Sequence, residues 1–172
     1  MSQAVKADRT ARAQAIDTIL HHTGVCACGK THPVTLRALV MEPGALRRLP
    51  EVLRGLGQVP ATAMICDENT CKAAGAAVER ILREAGIPLS QVICLDPTHL
   101  HATDPVVEQV DSQLRPCDRL IAVGSGTIHD ITRYTAHARG IDFVSVPTAA
   151  SVDGYLSSVA AMTWHNVKRT FP

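Results

Sequence analysis

Leu120-Ile121-Ala122-Val123-Gly124-Ser125-Gly126-Thr127-Ile128-His129-Asp130 decides how this chain is read. The apolar run from Arg119 to Val123 reads as a buried strand. Gly124 to Thr127 reads as a tight loop, and Ile128 to Ala138 as a helix stopped by Arg139-Gly140. Parallel sheets bind ligands beyond the carboxyl ends of their strands. Glycines there let the backbone approach a phosphate, and the amides opening the next helix hold the anion. The same glycines also serve a chain that merely has to turn sharply. The segment is neither a full G-x-G-x-x-G pattern nor a P-loop, which would need Gly-Lys-Ser/Thr.

Working outward, strand and helix signals alternate. Ala11, Ala15, Ile16, Ile19 and Leu20 recur at helical spacing. Val34 to Met41 reads as a strand, Glu42-Pro43-Gly44 as a turn, and Leu46, Leu49, Val52, Leu53 and Leu56 as one helix face. Ala61 to Cys66 is a buried strand ending at Asp67, followed by a helix over Thr70 to Ala85 with Gly86 as its stop. Gln91 to Leu95 is a strand, and Asp104-Pro105 opens a helix through Leu114 with Asp104 as N-cap. Phe143 to Val146 is a further strand, and Asp142 before it is expected in solvent. Val159 to Met162 and Trp164 to Arg169 read as two short strands around a turn. Strand–helix alternation implies a parallel sheet with right-handed crossovers. The fold class is α/β, a Rossmann-like parallel sheet with helices on both faces, ending in a short β-hairpin.

Composition bounds the function. The chain has 172 residues, 46% hydrophobic and 19% charged, which suits one globular domain over 1–172. Aromatics are only 3%, so the core must be built from Ala, Val, Leu and Ile. A net charge of +1 without a basic stripe argues against nucleic acid. No stretch approaches the roughly 20 apolar residues of a membrane span, and Met1 to Thr10 lacks the apolar core of a secretory signal. A cytoplasmic protein with free thiols is expected.

Other segments carry candidate chemistry. Asp67, at a strand tip, suits either a ribose hydroxyl or a cap on the Asn69-Thr70 turn. Ser145-Val146-Pro147-Thr148-Ala149-Ala150-Ser151-Val152-Asp153-Gly154 leaves another strand with two hydroxyls and an acid that suit a cofactor or substrate, or else a self-satisfied turn. Cys26, Cys28 and His32 mimic part of a metal site but lack a fourth ligand, so a turn with an incidental thiol pair is expected. His99 and His101 read as solvent-exposed. His129 and His137, eight apart on one helix, are not on adjacent turns, and His129 is expected near a phosphate through its backbone. Cys66, Cys71, Cys94 and Cys117 read as small core residues with no basic partner to make a nucleophile.

Gly-Ser-Gly-Thr-Ile-His-Asp at 124–130 and Ser-Val-Pro-Thr-Ala-Ala-Ser-Val-Asp-Gly at 145–154 together resemble the bacterial, AraM-type glycerol-1-phosphate dehydrogenases. These belong with iron-containing alcohol dehydrogenases, glycerol dehydrogenase and dehydroquinate synthase. Cys28-Gly29-Lys30-Thr31-His32 and Gly44-Ala45-Leu46 extend the resemblance. It implies an NAD or NADP site formed by Gly124, Ser125, Gly126, Thr127, Ile128, His129 and Asp130 with Thr148, Ala149, Ala150, Ser151 and Ser157. It places Asp67 on the adenosine side and Asp153 at the substrate. The family's divalent metal, zinc, nickel or iron, is held by an aspartate and two histidines in a helical second half. Matching segments would lie past Pro172, so the chain is expected to be the N-terminal cofactor half without a metal or a catalytic residue of its own. The activity implied is reduction of dihydroxyacetone phosphate to sn-glycerol 1-phosphate. A dehydroquinate synthase-like lyase and a stand-alone nucleotide-binding module are the alternatives. Association with copies of itself stays open.

Overall fold

The computed structural model describes residues 14–16, 18, 20, 24–31, 34–58, 61–149 and 156–171. The chain divides into two compact units, Met1–Leu56 and Gly57–Pro172.

In the first unit, residues 14–16, 18 and 20 are helical, and the remainder of the helix expected from Ala11 lies outside the described residues. Cys26 to Thr31 forms a narrow turn. The Gly29 amide donates to the Cys26 carbonyl at 2.8 Å, and the Cys26 amide to the Lys30 carbonyl at 2.8 Å. Both thiols are exposed. Val34 to Met41 is irregular chain, not the strand its apolar residues suggest. A strand needs a neighbour for its ladder, and no paired strand contains this stretch among the described residues. A 3-10 turn, Ala45–Arg48, leads into α1 (Leu49–Gly55), which buries Leu49, Pro50 and Leu53.

The second unit is built on four parallel strands, β1 (Thr62–Asp67), β2 (Gln91–Leu95), β3 (Arg119–Gly124) and β4 (Asp142–Pro147), in the order β2-β1-β3-β4. Every residue of β1 and β3 is buried, as continuous apolar runs flanked on both sides require. α3 (Asp104–Gln113) and α4 (Gly126–Arg139) cover one face, packing Val107, Val110, Ile128 and Ile131 on Ala63, Ile65, Leu120 and Ala122. The other face meets the helix after β1. That helix starts as Glu68–Thr70, widens into a π turn at Cys71–Gly75 and continues as α2 (Ala76–Glu84). A Cβ on Gly75 would stand 3.5 Å from the Met64 side chain of β1, so helix and sheet are close there.

The hairpin pairs β5 (Ala160–Trp164) with β6 (Val167–Phe171). Its two-residue turn is His165-Asn166, both at positive φ (49° and 62°), as a hairpin of this length demands. The turn therefore comes later than expected, and Trp164 ends the first strand. Thr163 donates its amide to Ala102 at 2.8 Å, and Ala160 and Met162 enter the core. The α3 N-cap is Thr103, one residue before the expected Asp104. The Asp104 carboxylate instead accepts from the His165 amide at 3.2 Å. No helix among the described residues is long and apolar enough to cross a membrane.

Candidate functional site

The parallel register brings Asp67, Gly124 and Pro147 to one end of the sheet. There the Thr148 amide donates to the Gly124 carbonyl at 2.9 Å, joining the chain leaving β4 to the glycine turn after β3. A Cβ on Gly124 would lie 2.5, 2.7 and 2.9 Å from Cβ, Cγ1 and Cγ2 of Ile128. Glycine here is what lets α4 seat its first turn against the strand. The turn is tighter than expected, because Ser125 is the only residue between β3 and α4. Ser125 is an extended N-cap (φ −93°, ψ −169°) whose hydroxyl makes no capping bond. Its carbonyl accepts from the His129 amide at 3.1 Å. The amides of Gly126, Thr127 and Ile128 precede that first intrahelical bond, so they face the open end of the helix with its positive dipole.

The side chains of this segment turn inward. Ile128 lies wholly in the core. His129 is buried, and its Nδ1 lies 2.8 Å from the Ser125 carbonyl. As the Nδ1–H tautomer the ring donates to that carbonyl, which leaves Nε2 without a hydrogen-bond partner among the described residues. Burial pushes the imidazole below its usual range. The Asp130 carboxylate lies 3.5 Å from Arg133, and burial raises its pKa, favouring the neutral form. Asp67 closes a capping box. Its Oδ1 accepts from the amides of Asn69 (2.8 Å) and Thr70 (2.9 Å), and its own amide donates to the Thr70 hydroxyl (3.0 Å). The Ser157 hydroxyl donates to the Val159 carbonyl (3.0 Å) and accepts from the Val159 amide (3.1 Å). Thr148 is half-buried and Ala149 exposed, while Ala150, Ser151 and Asp153 lie outside the described residues. A groove of about 620 Å³ lined by Val107, Tyr134 and Trp164 faces the C-terminal half of α4, away from this end of the sheet.

The cysteines depart from expectation. Cys94 is exposed, because alternate residues of the edge strand β2 face outward. Its Sγ lies with those of Cys66 and Cys71 inside a cluster 4.8 Å across. Spacing in sequence gave no signal of this, since the cluster depends on the register of β1 against β2.

The chain is similar to several known proteins. It is 42% identical over 112 residues to glycerol-1-phosphate dehydrogenase [NAD(P)+] of Bacillus velezensis, covering 62% of this chain and 28% of the relative. With that of Bacillus licheniformis the figure is 35% over 158 residues, covering 86% and 37%. It is 34% identical over 147 residues to 3-dehydroquinate synthase of Enterococcus faecalis, covering 81% and 40%. The chain thus spans about a third of the length of its curated relatives. Among solved structures, glycerol dehydrogenase from Schizosaccharomyces pombe shares the fold at a TM-score of 0.61 and 19% identity, covering 74% of this chain and 32% of that one. The profile of the iron-containing alcohol dehydrogenases matches residues 40–172, most of the chain, and the chain belongs to that family.

Proposed function

We propose that this chain is the cofactor-binding part of an NAD(P)-dependent sn-glycerol-1-phosphate dehydrogenase. The observation that carries the reading is the Thr148–Gly124 hydrogen bond, which sets the loop after β4 beside the open amides of α4. In this reading the amides of Gly126, Thr127 and Ile128 take the pyrophosphate, and the uncommitted Ser125 hydroxyl adds a donor. Thr148 to Ser151 and Ser157 make further contacts to the cofactor, Asp67 lies on the adenosine side, and Asp153 accepts from a substrate hydroxyl. His129 and Asp130 serve through their backbone and by fixing the first turn of α4. The bound nicotinamide supplies the hydride that reduces C2 of dihydroxyacetone phosphate.

The family's metal does not fit the described residues. Their only converging group of three His, Cys, Asp or Glu side chains is all sulfur, not the aspartate and two histidines that the resemblance implies for the family. The relatives named glycerol-1-phosphate dehydrogenase favour that activity over the lyase named for the Enterococcus relative.

Titration with NADH and NADPH, followed by cofactor fluorescence, tests the reading. Saturable binding is expected. Gly126→Val should weaken it more than tenfold at unchanged Tm, because a branched side chain would stand where the phosphate approaches. Unchanged affinity in a folded variant would remove this turn from the site. In the full-length enzyme, oxidation of NADH that depends on dihydroxyacetone phosphate would separate the dehydrogenase from the lyase.

A further inference from the structure

Cofactor binding leaves one cluster of reactive side chains unused. Cys66 of β1 pairs in register with Cys94 of β2, so both thiols leave the sheet on the same face. The π turn opens at Cys71, five positions after Cys66, and delivers a third thiol to that point. Such a wide turn is rare in helices and concentrates at functional sites. Gly75 makes room for it, since a Cβ there would lie 3.2 Å from the Cys71 Sγ. All three Sγ atoms lie within 4.8 Å of one another. Cys66 forms the buried floor, Cys71 is half-buried, and Cys94 opens the cluster to solvent at the sheet edge.

We propose that Cys66, Cys71 and Cys94 form a binding site for one thiophilic d10 metal ion, copper(I) held by three thiolates or zinc(II) held by the same three with a solvent ligand in the fourth position at the open Cys94 side. Metal–sulfur bonds of about 2.3 Å set three sulfurs about 4 Å apart in a trigonal or a tetrahedral centre. The cluster reaches that spacing with an inward movement of less than about 1 Å. Thiolate ligands select soft ions over magnesium or calcium. In the unloaded site, burial and the neighbouring thiols push Cys66 far above its ordinary value, and burial raises Cys94 as well. The Cys66 and Cys94 thiols are therefore neutral near pH 7 and poor nucleophiles. A bound cation displaces the thiol protons of the cluster to solvent and offsets the repulsion between the resulting thiolates.

The test uses the reduced 172-residue chain carrying Cys26→Ser and Cys28→Ser, which remove the exposed pair of the other unit. It is titrated anaerobically with zinc(II) and, separately, with copper(I), each against a competing chromogenic chelator. One equivalent of either ion is expected, with proton release and protection of three thiols from a thiol reagent. The ion that binds more tightly identifies the occupant. Cys94→Ser replaces the exposed member and should leave Tm unchanged while weakening binding at least tenfold, and Cys71→Ser should weaken it as much. Cys117→Ser, outside the cluster, should leave it unaltered. Failure of both ions to bind stoichiometrically would overturn the site. So would equal binding by the Cys94→Ser and Cys117→Ser chains. Neither result bears on the cofactor titration above.

Discussion

Arg119 is almost fully buried at the start of β3, and its Nη2 donates to Asp142 Oδ2 at 3.1 Å across the sheet. Its Nε and Nη1 find no hydrogen-bond partner among the described residues. Asp142, expected in solvent, is therefore the counter-charge of a buried guanidinium. Breaking a fully buried pair costs about 3–5 kcal/mol. Because the Asp142 side chain is 35% exposed, Asp142→Asn should cost less, about 2 kcal/mol, read from urea unfolding. A change under about 0.5 kcal/mol would show that water already neutralises Arg119. His129 makes a second residue-scale prediction. Its folded value lies below the ordinary 6.5, so the unfolded chain binds the proton first. This contribution to stability is complete above about pH 7 and is lost as pH falls through 6.5 toward the lower folded value. Asp130, raised from 3.8, works in the opposite sense at more acid pH. Urea unfolding from about pH 8 down to pH 5 should show falling stability in the wild type and a flatter profile in a folded His129→Asn chain. Parallel profiles would mean that the ring protonates without disturbing the fold.

At the scale of elements, Asp67 belongs to two readings that one variant separates. Its carboxylate caps the helix after β1, and removing such a cap costs about 0.5–2 kcal/mol. Serine caps nearly as well but carries no charge for a ribose. Asp67→Ser should keep Tm within a few degrees and weaken NADH binding several-fold. A loss of stability with unchanged affinity would make Asp67 a cap alone. The strand–turn–helix from Arg119 to Arg139 was legible because its apolar run, paired glycines and helical spacing all agree. Val34 to Met41 misled because apolar residues specify burial, whereas a strand also requires a partner. The sharper turn at Ser125 follows from Gly124 meeting Ile128, a contact that spacing does not display. The π turn escaped for a similar reason, since Cys71 to Gly75 carries ordinary helix formers and only the packing against β1 shows the wider path. Thr148 could be placed near the glycine turn from strand order alone. The thiol cluster could not, because a shift of one residue between β1 and β2 would send Cys94 to the opposite face.

For the second unit as a whole, the hairpin completes the core. Ala160 and Met162 join Leu95, Val107 and Leu120, and Arg133 of α4 donates to the Val159 carbonyl at 2.8 Å. The sequence holds one Trp, two Tyr and two Phe, and three of these five, Tyr134, Trp164 and Phe171, gather between α4 and the hairpin with ring centroids 4.9–5.4 Å apart. This gathering has an optical consequence. Indole emission from this molecule comes from Trp164 alone, so intrinsic fluorescence reports the seating of β5 and β6 on α4, while far-ultraviolet circular dichroism reports the helices and the parallel strands. If the hairpin melts together with the sheet, as its two buried residues require, the two signals should share one midpoint in urea. An earlier fluorescence midpoint would reveal a lid that lifts before the sheet gives way, and quenching of the indole by added NADH would then follow hairpin movement as well as binding.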